Sequence, residues 1–211
     1  MVKLDNSNEE NAREKRRKGF IKIRENVLDI LWPKTCPMCD KILSKQENIC
    51  TTCHSKLVYI YEPKCKKCGK ELQDDTKEYC VDCSNKKHYF KLNVAVFKYS
   101  HMVSKSLYKF KYHNRRTYAK FYGEAIAKHC AFDIKRWNPD VIIPVPIHYK
   151  KRIKRGYNQA ALIARELGEQ TNILVDDIYT TGSTLDACAK VLLAAGASEV
   201  FCVSMSVGYG I

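Results

Sequence analysis

Eight of the eleven cysteines in the sequence form four Cys-x-x-Cys pairs, and the pairs are separated by ten or eleven residues. The pairs are Cys36/Cys39, Cys50/Cys53, Cys65/Cys68 and Cys80/Cys83. Two sulfurs at this spacing reach one ion from a tight turn, and two such turns complete the tetrahedron that Zn²⁺ prefers. The eight thiolates therefore predict two structural Zn²⁺ ions, with no ligand position left open for catalysis.

Two points about these cysteines stay open at this stage. Sequential pairing would give two zinc ribbons, whereas crossed pairing would interleave them, and we favour sequential pairing because short loops close at a lower entropic cost. An iron–sulfur cluster is the alternative metal group, but the sequence has no closely packed ferredoxin-type run of cysteines.

Asp40 and Gly69 follow their pairs at positions where a tight turn favours positive φ. Three cysteines in apolar surroundings are predicted to be core residues: Cys130, Cys188 and Cys202.

A second chemical motif is the run Leu-Val-Asp-Asp-Ile-Tyr-Thr-Thr-Gly-Ser-Thr over residues 174–184. An apolar strand runs into two carboxylates and then into a turn that begins a helix. Backbone N–H groups at a helix N-terminus bind anions, and Gly182 would allow a ligand to approach closely. Four residues of the turn add hydroxyl donors: Thr180, Thr181, Ser183 and Thr184. The turn lacks a Gly-Lys-Thr/Ser sequence, which excludes a Walker-type nucleotide loop.

The two carboxylates need a separate role, because they would repel a phosphate beside them. Asp176 and Asp177 can accept hydrogen bonds from a sugar diol, or help to hold a divalent cation. One phosphate and one diol at the end of a parallel strand describe a ribose 5-phosphate group. The motif therefore predicts a site for a phosphorylated ribose.

The run Asp-Asp-Ile-Tyr-Thr-Thr-Gly-Ser-Thr resembles the phosphoribosyl pyrophosphate (PRPP) motif of type I phosphoribosyltransferases. Together with the cysteine pairs, this motif is similar to the ComF family of competence proteins. Two further stretches carry the resemblance. They are Pro-Val-Pro-Ile-His-Tyr-Lys-Lys-Arg-Ile-Lys-Arg-Gly-Tyr-Asn-Gln over residues 144–159, and Leu-Trp-Pro over residues 31–33 with Cys-Pro-Met-Cys over residues 36–39. That family joins an N-terminal zinc module to a phosphoribosyltransferase-like domain. The resemblance implies that Asp176 and Asp177 contact the ribose hydroxyls, that residues 180–184 bind the 5-phosphate, and that Mg²⁺ accompanies PRPP. It also implies that a basic loop meets the pyrophosphate: Lys150, Lys151, Arg152 and Arg155.

The sequence departs from the family between the helix that follows Arg-Gly-Tyr-Asn-Gln and the PRPP strand. Family members carry a longer segment there, with a mobile loop that covers the site, whereas residues 168–173 make the join here. A β-α-β crossover can still close over this length. Without the loop, water would reach the oxocarbenium-like reacting centre, and hydrolysis or weak phosphoribosyltransferase activity would follow. The alternative is that a segment of the natural chain is missing at this point.

Positive charge is concentrated in one stretch of the chain. The formal net charge is +14, and residues 91–160 hold sixteen basic and three acidic side chains together with twelve aromatic residues. This mixture suits single-stranded DNA, because phosphates meet the cations while bases stack on the rings. The alternative is that the aromatic residues serve the core and the lysines face solvent. Four cations are the candidate nucleic-acid contacts: Lys109, Lys111, Arg115 and Arg116.

Strands that alternate with helices indicate the elements that must position these groups. The apolar patterns predict strands over residues 91–99, 141–146, 173–175 and 200–205, and helices over residues 102–112, 118–130, 158–168 and 185–195. They predict an α/β fold, a type I phosphoribosyltransferase-like parallel sheet with a small N-terminal zinc-ribbon module. We expect a basic mobile tail over residues 1–18, an amphipathic helix plus double zinc-ribbon module over 19–88, and the phosphoribosyltransferase-like domain over 89–211.

Composition narrows the compartment and the class of function. No apolar run is long enough to cross a bilayer, and residues 1–18 lack the apolar stretch of a secretory signal, so we expect a cytoplasmic protein with reduced thiols. One hypothesis is a PRPP-binding protein of the DNA-uptake pathway that handles incoming single strands. The others are a non-enzymatic single-stranded nucleic-acid module, and an adaptor whose zinc module holds a partner such as the competence helicase that the resemblance implies. The sequence leaves open whether glycosyl transfer from PRPP occurs.

Overall fold

The computed structural model describes residues 33–168 and 173–208. The predicted basic tail and amphipathic helix lie outside the described residues. Four parallel strands form one sheet in the order β1-β4-β3-β2. They are β1 (Leu92–Lys98), β2 (Ile142–Pro144), β3 (Ile173–Tyr179) and β4 (Phe201–Val207). The α/β class with a separate cysteine module is therefore confirmed.

Eight helices are seen in the described ranges, two of them short turns in the cysteine module. These are α1 (Thr51–His54), α2 (Val81–Asn85), α3 (His101–Tyr112), α4 (Tyr118–His129), α5 (Ala131–Trp137), α6 (Tyr149–Arg155), α7 (Gln159–Leu167) and α8 (Ser183–Ala194). Over these same ranges, none of them has both the length and the apolar character that a bilayer crossing requires.

The hydrophobic pattern explains why the elements pack as they do. Helix α3 buries Val103, Leu107 and Phe110, which recur at intervals of three and four residues and so share one face. The Ser100 side chain begins this helix by accepting a hydrogen bond from the backbone N–H of Val103. Strand β4 is buried along its whole length because it lies between β1 and β3.

Helix α5 was not predicted and several predicted bounds differ from the structure, and two of these differences bear on the candidate site. Strand β3 continues to Tyr179, because Asp176 and the residues beyond it keep pairing with β4, opposite Ser204 and its successors. The basic segment after β2 was predicted as a loop, and it forms helix α6 instead. Its first turn is capped by the His148 side chain, which accepts from the backbone N–H of Lys150, and it ends at Gly156 with φ 74°. Helix α7 then makes the crossover to β3, so β2 and β3 pair in parallel despite the short join.

The cysteine module covers the free edge of β1. The backbone N–H of Ile60 donates to the carbonyl of Val96 at 3.0 Å, and that of Lys98 donates to the carbonyl of Val58 at 2.9 Å. These bonds make the segment between the two ribbons an antiparallel neighbour of β1. An unpaired edge invites pairing with other chains, and here the module removes it.

Candidate metal centres and phosphate site

The structure brings the cysteine pairs together in sequence order. The Sγ atoms of Cys36, Cys39, Cys50 and Cys53 all lie within 4.8 Å of one another, and so do those of Cys65, Cys68, Cys80 and Cys83. The Sγ–Sγ distances are 3.8 Å for Cys39 and Cys50 and 3.7 Å for Cys68 and Cys80. A tetrahedron with Zn–S bonds of about 2.3 Å has edges of roughly 3.8 Å. The sequential pairing is confirmed, and each centre fits one Zn²⁺ ion held by four thiolates.

The same local backbone builds both centres. Asp40 and Gly69 have φ angles of 63° and 72°, as the turns after the first and third pairs require. A Cβ atom at Gly69 would lie 2.8 Å from the carbonyl oxygen of Asn93, so only glycine fits against β1 there. The second and fourth pairs begin at Cys50 and Cys80, which precede α1 and α2.

The thiol groups of the first centre are not equivalent. Burial raises the pKa values of Cys36 and Cys53, whereas the backbone N–H of Cys53 lowers the pKa of Cys50 to about 7. Four thiolates this close repel one another unless a cation lies between them. The donor set therefore fits a bound metal ion better than four free thiols.

The predicted phosphate turn lies at the carboxyl end of β3. Strand β3 ends at Tyr179, and α8 begins at Ser183 after Gly182, whose φ is 73°. A Cβ atom at Gly182 would lie 2.6 Å from the hydroxyl oxygen of Tyr179, so both φ and space require glycine. Four hydroxyl-bearing residues of the turn are exposed: Thr180, Thr181, Ser183 and Thr184. The turn thus presents hydroxyl groups and helix N–H groups to solvent together.

The two adjacent carboxylates lie just before the turn, within β3. The backbone N–H of Asp177 donates to Asp176 Oδ1 at 2.8 Å. Burial and the neighbouring Asp177 carboxylate raise the pKa of Asp176 to about 7. Lys111 of α3 forms an ion pair with Asp177. Near neutral pH, Asp176 can therefore either donate or accept a hydrogen bond, as recognition of a diol requires.

The four basic residues predicted to meet the pyrophosphate lie on α6. Lys150, Lys151 and Arg152 are exposed, and Arg155 is partly buried. Because β2 and β3 are parallel neighbours, α6 and the phosphate turn follow strand ends on the same edge of the sheet. The positive charge and the phosphate turn are therefore presented at one edge.

The Arg-Gly-Tyr-Asn-Gln motif anchors α6 to the rest of the domain. The Tyr157 hydroxyl donates to the carbonyl of Phe110, and Asn158 Nδ2 donates to the carbonyl of Val145 at 2.9 Å. The Asn158 side chain also caps α7 by accepting from the backbone N–H of Ala160. The motif thus supports the basic helix through packing and capping, a role that the residue types alone do not disclose.

The four candidate nucleic-acid contacts fall into two pairs. Lys109 forms an ion pair with Asp40 of the first ribbon and is 12% exposed, while Lys111 pairs with Asp177 as described. Arg115 is exposed, and the guanidinium of Arg116 lies 5.0 Å from the ring centroid of Tyr157. The structure therefore places the two arginines at the surface and engages the two lysines in internal ion pairs.

Two exposed rings on α3 belong to the aromatic residues that the sequence offered for stacking, but the sequence analysis did not single them out as a pair. Tyr108 and Tyr112 are 56% and 49% exposed, and their ring centroids are 4.9 Å apart. The guanidinium of Arg155 lies 4.8 Å from the Tyr112 ring centroid and donates to its hydroxyl at 3.0 Å. The spacing of Tyr108 and Tyr112 could have indicated this pair, because residues four apart lie on the same face of a helix.

A family profile described as "Double zinc ribbon domain" matches residues 27–84. Competence protein F of Haemophilus influenzae is 25% identical over 210 aligned positions, which cover 74% of this chain and 88% of that protein. Competence protein ComFC of Bacillus subtilis is 24% identical over 202 positions, covering 74% of this chain and 82% of that protein. With the two four-cysteine centres and the parallel α/β sheet, these similarities support a member of the ComF family of competence proteins.

Proposed function

We propose that the chain binds PRPP at the carboxyl ends of strands β2 and β3 and acts in natural competence, where it handles incoming single-stranded DNA. The observation that carries the proposal is the exposed phosphate turn at the end of β3, directly after the paired carboxylates of Asp176 and Asp177. The relatives named competence proteins support the biological setting.

Each part of PRPP has a matching group. The N–H groups and hydroxyls of residues 180–184 would bind the 5-phosphate. Asp176 and Asp177 would meet the ribose hydroxyls and help to hold Mg²⁺, which supplies charge neutralisation to the pyrophosphate when it is bound. The cations of α6 would contact the pyrophosphate from the neighbouring strand end. The two Zn²⁺ ions would be structural, since four thiolates fill each centre.

Glycosyl transfer would use the same groups. An acceptor would form a bond to C1 of the ribose while the bond from C1 to the pyrophosphate oxygen breaks, and the electron pair would leave with pyrophosphate. Lys150, Lys151 and Arg152 would stabilise that leaving group electrostatically. The acceptor would be a nucleophile outside the groups named above.

A specific observation favours binding of single-stranded DNA on the adjoining surface. The exposed rings of Tyr108 and Tyr112 continue into the guanidinium of Arg155, and Arg115 and Arg116 add positive charge nearby in the chain. Bases would stack on the rings while phosphates meet the arginines. The zinc module would offer a second surface to a protein partner such as a competence helicase.

Calorimetric titration with PRPP, with and without Mg²⁺, tests the site. The Asp177→Asn variant should bind PRPP at least tenfold more weakly and still fold, because it removes one acceptor for the diol. Asp75→Asn, an exposed carboxylate on the second ribbon, is the matched control and should bind as the parent does. Unchanged affinity in Asp177→Asn, or no binding by the parent chain, would refute the assignment. Pyrophosphate release on adding an oligonucleotide would then distinguish transfer from simple binding.

A further inference from the structure

A buried histidine joins the second zinc centre to the helix that carries the phosphate turn. His88 Nδ1 lies 2.7 Å from Asp186 Oδ2, and His88 Nε2 lies 3.7 Å from the Sγ atom of Cys83. The His88 side chain is fully buried. Asp186 lies in the first turn of α8, directly after the phosphate turn. One imidazole ring therefore spans a zinc ligand and the helix N-terminus.

Two further residues of the same short segment hold that first turn. The backbone N–H of Tyr89 donates to Asp186 Oδ1 at 2.9 Å. Lys86 Nζ lies 3.3 Å from Asp186 Oδ2 and donates to the carbonyl oxygen of Thr181 at 3.3 Å. Asp186 itself is only 8% exposed, so water competes weakly for these contacts. Residues 86–89, which follow the last zinc ligand, thus clamp both the turn and the helix.

The aromatic packing around His88 reinforces the connection. Its ring stacks on Phe90 with centroids 4.8 Å apart and meets the edge of Tyr179 at 6.5 Å. Tyr179 is the residue whose hydroxyl leaves no room for a Cβ atom at Gly182. The ring that limits the space at Gly182 therefore also contacts the histidine beside the zinc centre.

The first zinc centre has different neighbours. Its Asp40 pairs with Lys109 of α3 and accepts from the hydroxyl of Tyr118 of α4 at 2.9 Å. These contacts lie on helices that do not carry the phosphate turn. The two centres therefore differ in what they support, although their ligand sets are the same.

Metal binding has a physical route to the turn through His88. Groups that hydrogen-bond a metal ligand orient that ligand and respond to its charge, so they form part of the metal site. A helix N-terminus binds a phosphate well only when its N–H groups are held in place before the ligand arrives. Loss of the metal from the second centre would release Cys83 and the segment that holds Asp186.

We propose that the second zinc centre positions the phosphate turn through His88 and Asp186, so that anion binding at the turn depends on that centre and not on the first. The identity of the anion as PRPP rests on the proposed function, whereas the structural link does not. His88 and Asp186 are positioning residues in this scheme, and neither touches the ligand.

Cadmium spectroscopy tests the link without any ligand. In the full chain loaded with ¹¹³Cd, the two four-thiolate centres give two resonances, which couplings to the cysteine β-protons assign. Asp186→Asn should shift the resonance of the second centre and leave the first unchanged. Asp40→Asn is the matched control and should shift only the first. If Asp186→Asn moves neither resonance, the link is refuted.

The positioning role has its own readouts. His88→Gln that retains two zinc ions should bind PRPP about tenfold more weakly. His129→Gln alters a half-buried histidine, whose Nε2 lies 2.9 Å from the carbonyl oxygen of Ile60 between the two ribbons, and should bind PRPP as the parent does. Parental affinity in His88→Gln would overturn the proposal. If the parent binds no PRPP, the proposed function fails. Amide hydrogen exchange of residues 180–186 then tests, without any ligand, whether His88 positions the turn. Exchange in His88→Gln as slow as in the parent would then overturn positioning.

Discussion

Lys111 of α3 forms an ion pair with Asp177 of β3, beside the carboxyl group of Asp176. Its side chain is 20% exposed and that of Asp177 is 16% exposed, so solvent screens the pair only in part. The charge distribution of the sequence suggested that Lys111 contacts nucleic acid, but its ammonium group lies at the paired carboxylates. The acid pair is thus partly neutralised by a residue from a distant helix.

The first prediction concerns this ion pair. Lys111→Met keeps most of the side-chain volume but leaves two neighbouring carboxyl groups without their cation. Removing one partner of a buried pair is costly, and with the residual exposure we expect a loss of about 2 kcal/mol in the free energy of unfolding. Urea denaturation measures it. Lys105→Met, on an exposed position of the same helix, should change stability by less than about 0.5 kcal/mol. Equal stability of the two variants would contradict the role of the pair.

The second prediction is a pH dependence caused by Asp176. Its pKa is about 7 in the folded protein and 3.8 for the unperturbed group, so between these values the folded state keeps a proton that the unfolded state has released. Its contribution to stability is therefore complete below about pH 4, falls as the pH rises to 7, and is constant above that. Across this window we expect the parent to lose on the order of 3 kcal/mol relative to Asp176→Asn.

Urea unfolding of both proteins at several pH values between 4 and 8 checks this prediction. The other titrating groups are common to both proteins, so their contributions largely cancel in the difference. Parallel pH profiles would show that Asp176 titrates normally, and the electrostatic account of the acid pair would be wrong.

The zinc centres and the strand–turn–helix backbone around residues 180–184 could be predicted because each depends on residues close together in the sequence. The Cys-x-x-Cys spacing and the order of the pairs were enough for the two centres. Helix α6 was missed because Tyr149–Arg155 is a basic segment without apolar periodicity, and the His148 cap gives little signal. No local pattern could predict the His88–Asp186 contact, because it joins residues 98 positions apart and exists only once the module packs on the sheet. The same holds for Lys109 and Asp40, 69 positions apart.

The third prediction concerns Gly182. Gly182→Ala adds a Cβ atom at φ 73° and places it 2.6 Å from the Tyr179 hydroxyl, so the turn must shift. We expect a stability loss of about 1–2 kcal/mol and at least a tenfold weaker affinity for PRPP by calorimetry. Gly196→Ala is the matched control, since Gly196 has φ 102° but nothing within 4 Å of the added atom. Gly196→Ala should lose stability but keep the parental affinity for PRPP. If Gly182→Ala also keeps that affinity, the turn is not the phosphate site.

The last prediction tests the exposed rings as a platform for single-stranded DNA. Stacking of a base on an aromatic side chain contributes roughly 1–3 kcal/mol, so Tyr108→Ala and Tyr112→Ala should each weaken binding of a thymidine oligonucleotide by about tenfold. Tyr79→Ala, at an exposed ring of the second ribbon, should bind as the parent does.

Fluorescence anisotropy at several salt concentrations separates the contribution of base stacking from that of the positive charges. Arg115→Ala should reduce the slope of log affinity against log salt by about one, whereas the tyrosine variants should leave the slope unchanged, because stacking releases no counterions. A uniform loss in all three tyrosine variants, or none, would place the DNA elsewhere on the protein.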